Sequence, residues 1–176
     1  KIPARKRFLK SKATEFTHCK NTFLQTALVH SHINWKFNSN GKEILNLPAE
    51  NILDRFANIC RVPSNTLKEV KKSIGPIKIH ACFPFSSNEK KLSNKQFVYV
   101  NGRVIKNRTI AHAIKTAFEE INHGGQETNI FLSILIPNEL VDFNVHPCKT
   151  EVRFKDNSAV YEVVYNTLKN TINRPA

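Results

Sequence analysis

The sequence predicts a mixed α/β (α+β) domain, with a mixed sheet in one layer and helices in another. Three observations predict it. Apolar residues recur at helical spacing in two long stretches, one from Ile110 to Ile121 and one from Val160 to Ile172. Strand-like runs lie between helical ones, and two hairpins are marked by Asn40-Gly41 and Asn101-Gly102. A 40% hydrophobic content with 12 Phe in 176 residues provides for one well-buried core. Interleaved helices and strands then imply two packed layers.

Taken in order, Thr14 caps a helix that buries Phe16, Cys19, Phe23, Ala27 and Leu28. His32 to Phe37 alternates Ile33, Trp35 and Phe37 as a strand, and Glu43 to Leu47 returns. Asn51 to Cys60 is a short helix burying Ile52, Leu53, Phe56 and Ile59. Val62 to Gly75 fits neither period. Pro76 to Phe85 is a strand closed by Pro84, and Ser86 to Asn94 is a polar loop. Gln96 to Ile105 is a hairpin, and Thr109 opens a helix that Gly124-Gly125 ends. Ile130 to Ile136 is a continuous apolar run, the pattern of a strand covered on both faces. Val141 to Phe154 is two strands with a polar kink, and Ser158 to Ile172 is the last helix.

Composition narrows the function. Lys+Arg is 27 against Asp+Glu 14, a net charge of +13, which suits a polyanion, nucleic acid first. The competing reading is that Lys and Asn excess reflects a biased genome. No apolar run approaches the ~20 residues of a membrane helix. No charged n-region followed by an apolar h-region is seen at the start, so no signal peptide is expected. Cys19, Cys60, Cys82 and Cys148 lack C-x-x-C spacing, so free thiols are expected, with no metal site. Lys1 to Lys12 carries six positive charges and no acid, and the chain contains no Met. Lys1 is therefore not expected to be the translation start, and the chain is expected to be a fragment.

Two clusters carry candidate phosphate contacts. Arg103, Lys106 and Arg108 follow the Asn101-Gly102 turn into a helix. Arg5, Lys6 and Arg7 form the other. For Arg103 a solvated hairpin edge competes evenly with a phosphate contact. Asn144, His146 and Pro147 shape the kink that presents Lys149. Glu151 and Arg153, two apart on one strand face, read as a weak surface ion pair.

Three stretches together carry a family resemblance: IPARKRFLKS, FVYVNGRVIKNRTIAHAI and VDFNVHPCKTEVRF. The chain resembles the MutL family of DNA mismatch repair proteins, over nearly its whole length. The match is to the second half of the family's N-terminal ATPase region. Phe143 replaces a usual Val, and Cys148 fills a variable position. The resemblance implies a GHKL-type ATPase lobe upstream and, here, a transducer domain with a left-handed βαβ crossover, shared with some ribosomal proteins. Residues 1–12 would be the tail of the ATPase lobe and 13–176 the transducer and DNA-binding domain. No D-x-G-x-G and no G-F-R-G-E-A occurs, so the chain alone should not hydrolyse ATP.

By the resemblance, Lys149 reaches the γ-phosphate of ATP, bound with Mg in the intact protein, where its compact charge offsets developing charge. Arg108 would meet DNA, and Arg5 to Arg7 would face either the ATPase lobe or DNA. Implied partners are double-stranded DNA held without sequence preference, a second MutL chain in a dimer, a MutS-type mismatch sensor and a downstream endonuclease or helicase. No membrane is implied. The location would be cytoplasmic in a bacterium and nuclear in a eukaryote. Two alternatives compete. One is a free-standing nucleic-acid-binding module without ATPase coupling. The other is the matching domain of a type II topoisomerase.

Overall fold

The computed structural model describes residues 11–84, 95–119, 128–144 and 151–174. Backbone contacts divide the chain into two compact units, Lys1–Arg55 and Phe56–Ala176.

In the first unit, α1 spans Lys12–Val29. Ser11, not Thr14, is its cap. The Ser11 Oγ accepts from the Thr14 N–H at 3.2 Å and meets the Thr14 hydroxyl at 2.8 Å. The helix buries Leu24, Ala27 and Leu28, while Cys19 is exposed. Strands β1 (Trp35–Ser39) and β2 (Lys42–Leu47) form the expected hairpin. Both turn residues are left-handed, Asn40 at φ 51° and Gly41 at φ 76°, the twist a two-residue turn requires. Phe23 lies edge-on to Trp35 at 5.8 Å and 5.1 Å from Phe37. The strand begins at Trp35 rather than His32. Just ahead of it, the Asn34 side chain accepts from the Ala49 N–H at 2.6 Å.

A buried arginine holds this unit together. Helix α2 (Ile52–Cys60) carries Arg55, which is 0% exposed. Its Nε donates to Glu50 Oε1 at 2.7 Å. Its Nη1 donates to the Ala27 carbonyl at 2.7 Å, and its Nη2 to Ser31, Ile33 and Pro48 at 3.0, 3.1 and 2.6 Å. One guanidinium thus ties the end of α1 to the loops on both sides of the hairpin. A charge this deep is tolerated because each of its three nitrogens meets an acceptor and a carboxylate is among them.

The second unit is built on a five-stranded mixed sheet in the order β3-β4-β7-β5-β6. The strands are β3 (Leu67–Ile74), β4 (Ile77–Pro84), β5 (Gln96–Val100), β6 (Arg103–Val104) and β7 (Ile130–Leu135). Only β5 and β7 run parallel, and the chain between them carries α3 (Arg108–Phe118). The ambiguous Val62 to Gly75 segment becomes a 3-10 turn, Ser64–Thr66, followed by β3. Its charges hid the strand, because β3 is a sheet edge where Lys and Glu block further pairing.

Strand alternation sends Ile79, Ala81, Phe83, Val100, Ile130, Leu132 and Ile134 to the core. Helix α3 meets them with Ile110, Ala113, Ile114, Ala117 and Phe118, a spacing of three and four. Helix α4 (Asn157–Ile172) adds Val160, Val164 and Leu168. Val163 and Ile172, expected inside, are half-buried. Phe118 packs edge-on to Phe83 at 5.1 Å. Each fully buried Leu or Ile contributes about 1.5–3 kcal/mol. On the other face, Phe56 lies edge-on to Phe97 at 6.4 Å. Tyr99 is also buried there, and burial pushes its hydroxyl well above the usual tyrosine range. Leu135 departs from the both-faces-covered expectation, at 51% exposed. Lys68 reaches from the edge strand to cap α4, donating to the Thr171, Ile172 and Arg174 carbonyls at 3.1, 3.1 and 2.6 Å.

The two strands of the Val141 to Phe154 stretch are short. β8 (Val141–Asp142) pairs antiparallel with β9 (Arg153–Phe154). The polar loop 86–94, the Gly124-Gly125 stop and Ile121 lie outside the described residues.

Candidate nucleic-acid interface

The Asn101-Gly102 turn sets the start of β6, ahead of the basic residues. Both residues are left-handed, at φ 49° and 76°. The Asn101 amide pins the turn to the end of β7. Its Oδ1 accepts from the Ile136 N–H at 2.9 Å, and its Nδ2 donates to the Ile136 carbonyl at 2.8 Å. Asparagine suits the position because it tolerates positive φ and bonds in both directions.

Asn107 fixes the wall that α3 makes. Its Oδ1 caps α3 by accepting from the Ile110 N–H at 3.1 Å, while its Nδ2 donates to the Val152 carbonyl at 3.2 Å. One side chain therefore sets where α3 starts and holds it to the residues entering β9. An open cleft of about 670 Å³ lies between β5, the start of α3 and the residues entering β9. Lys106, Asn107, Arg108 and Arg153 line it, with Glu151 its only acid among the described residues. The positive end of the α3 dipole faces the same space. A shallower hollow of about 520 Å³ continues past Arg108 to His112 and Tyr161.

The structure thus brings together Lys106 and Arg108, two of the three residues read from the hairpin. It does not bring Arg103 with them. The Arg103 guanidinium sits over the Phe143 ring, 4.9 Å from its centroid, on the far side of the β6 turn. Arg153 takes its place. Glu151 and Arg153 do not form the expected ion pair, because both are exposed and water solvates each as well as the other would. The signal that could have found Arg153 is the R-F alternation. With Phe154 buried, Arg153 must face out.

At the kink, Asp142 shapes the chain, its Oδ1 accepting from the Asn144 N–H at 2.8 Å. The predicted His146, Pro147 and Lys149, and the cluster Arg5, Lys6 and Arg7, lie outside the described residues. Tyr99 and Phe97 offer no exposed stacking platform, since both are buried. No helix among the described residues is long and apolar enough to cross a membrane.

Comparisons with known proteins give the family and the fold. Residues 60–173 match the family model described as "DNA mismatch repair protein, C-terminal domain". The chain is 34% identical over 171 residues to "DNA mismatch repair protein MutL" of Neisseria meningitidis serogroup C / serotype 2a, covering 97% of the chain and 26% of that protein. It is 34% identical over 172 residues to the protein of the same description from Flavobacterium psychrophilum, covering 97% and 28%. It thus spans about a quarter of the length of these relatives. Among solved structures, the N-terminal domain of a DNA repair protein superposes with TM-score 0.75 at 23% identity, over 98% of this chain and 58% of that one. The Aquifex aeolicus MutL ATPase domain complexed with ADP superposes with TM-score 0.64 at 18% identity, over 99% and 55%. These two likenesses support the fold.

Proposed function

The chain belongs to the MutL family of DNA mismatch repair proteins, and from that premise we propose that it holds duplex DNA by its phosphates in the cleft at the start of α3. The observation that carries this is the charge lining one cleft: Lys106, Arg108 and Arg153 against Glu151. Exposed basic side chains at a capped helix start suit phosphate oxygens. In the intact protein, Lys149 would supply its ammonium to the ATP γ-phosphate with Mg present. Asn107, bonded to both α3 and the strand that follows the H-P-x-K stretch, supports coupling of the two events. Closure of a MutL dimer, contact with a MutS-type sensor and delivery to a nuclease or helicase belong to the same proposal.

The test is fluorescence anisotropy with a duplex oligonucleotide at several salt concentrations. The affinity is expected to fall steeply with salt, by about 0.9 log units per log unit of salt for each phosphate neutralised, and to change little with sequence. Arg108→Glu should weaken binding about tenfold or more, while Lys78→Glu, an exposed charge on β4, should leave it within about threefold. Equal losses would mean diffuse attraction by a chain of net charge +13 and would sink the cleft.

A further inference from the structure

The β3–β4 ladder places a second group of chemically active side chains away from the cleft. Glu69 pairs in register with Cys82, and His80 stands two residues before Cys82 on the same face. His80 Nε2 lies 2.7 Å from Glu69 Oε1 and 3.9 Å from Cys82 Sγ, and the three ligand atoms lie within 4.8 Å of one another. We propose that Glu69, His80 and Cys82 form a three-ligand site for a divalent transition ion, zinc by the chemistry of its donors.

A thiolate, an imidazole and a carboxylate are the donor types that zinc takes, and three protein ligands leave a fourth position for water. Tetrahedral bonds of ~2.0–2.3 Å put neighbouring donors roughly 3.3–3.8 Å apart. The Cys82–His80 separation is already near that value. The Glu69–His80 pair would open by less than ~1 Å, which a glutamate side chain on an edge strand can supply. The ring of His80 is held edge-on by Phe131 at 5.3 Å, so its direction is set before an ion arrives.

Protonation favours loading at His80 and Glu69 and opposes it at Cys82, whose thiol must lose a proton to bind. Burial lowers the His80 pKa below the ordinary histidine value, outweighing the pull of Glu69, so the ring is a neutral ligand at neutral pH. Burial pushes the Cys82 thiol up to about 12, so it stays protonated until a cation displaces its proton. At Glu69 burial is the largest single influence and raises the pKa, but the combined bonds and charges of Lys71 and His80 leave it lowered. The Lys71 ammonium stands 2.9 Å from the same carboxylate oxygen, where an ion would stand, on a side chain 66% exposed that can swing aside. The competing account is a plain edge-strand ion-pair strip, Lys71–Glu69–His80, with Cys82 a packed thiol.

Titration of the metal-free chain with Co2+ separates the two accounts. One equivalent is expected to bind with a thiolate-to-cobalt charge-transfer band in the near ultraviolet, and Zn2+ should displace it. Cys82→Ser should abolish the band, whereas Cys19→Ser and Cys60→Ser should keep it. Glu69→Gln, at an exposed position that does not threaten folding, should weaken cobalt binding by at least about tenfold, since even partners behind a ligand are worth 10–100-fold. A chain that takes up no cobalt at stoichiometric concentration overturns the site. So does a band that survives Cys82→Ser, or an affinity unchanged by Glu69→Gln.

Discussion

The two units are held by opposite means. Before Phe56, five hydrogen bonds from Arg55 gather an α-helix end and the loops around a hairpin. After it, a sheet and two helices meet mainly through Ile, Leu, Val, Phe and Ala across a continuous core. The first arrangement concentrates stability in one residue; the second spreads it over many. A polar hub fails all at once, because removing it takes a bond from a carboxylate and four carbonyls together. An apolar core loses stability in proportion to what is removed.

The largest expected effect tests the hub. Arg55→Ala should destabilise by about 3–5 kcal/mol, the usual result of breaking a buried charged group's contacts. Arg55→Lys should recover only part, since an ammonium cannot span the planar fork. Trp35 is the chain's one tryptophan and lies in this unit, its Nε1 donating to the His30 carbonyl at 3.0 Å. Urea unfolding of Arg55→Ala should therefore move the fluorescence transition below the far-ultraviolet circular dichroism transition. Coincident transitions would break the comparison by showing that the units unfold as one.

Next in size is the core. Leu132 is 0% exposed on the central strand β7. Leu132→Ala should lose about 3 kcal/mol through lost burial and a residual cavity. Here circular dichroism should lead and Trp35 fluorescence lag, the reverse of Arg55→Ala. The same order in both variants would refute the division of labour.

The two units also differed in how much their sequences disclosed. The α3 and α4 periods, the Asn-Gly hairpins and the apolar β7 were readable because burial follows spacing there. Arg55 was not. Its neighbours Phe56 and Ile59 marked a buried face, but nothing in I-L-D-R-F says that an arginine turns inward to meet carbonyls from residues 27, 31, 33 and 48. That is a property of the loops it meets. Strand β3 stayed hidden because edge charges erase the period of two. In the cleft, Lys106 and Arg108 were legible from a hairpin leading into a helix, while Arg153 was read as half of an ion pair. The Glu69–His80–Cys82 group needs the register between β3 and β4. His80 and Cys82, two apart on a strand, were the only part of it visible along the chain.

A smaller effect concerns the polar groups that the second unit does use. Asn101→Ala removes two bonds to Ile136 and leaves a Cβ residue at φ 49° without local support. A loss of about 2 kcal/mol is expected. Asn101→Gly should lose about half as much, since glycine takes positive φ freely. Equal losses would mean that the bonds alone matter and the strain does not.

The smallest effect should have the opposite sign. Thr167 is 1% exposed in α4, between Val164 and Leu168, and its hydroxyl finds no partner among the described residues. A buried hydroxyl without a partner is a net liability of about 1–3 kcal/mol, and valine has nearly the same shape. Thr167→Val should therefore stabilise the second unit by about 1 kcal/mol. It should raise the circular dichroism midpoint while leaving the Trp35 midpoint where it was. If it destabilises instead, the hydroxyl is meeting a group that the apolar description of this core omits. The contrast with the Arg55 hub would then be one of degree: both units would rest on buried polar contacts, and only their number would differ.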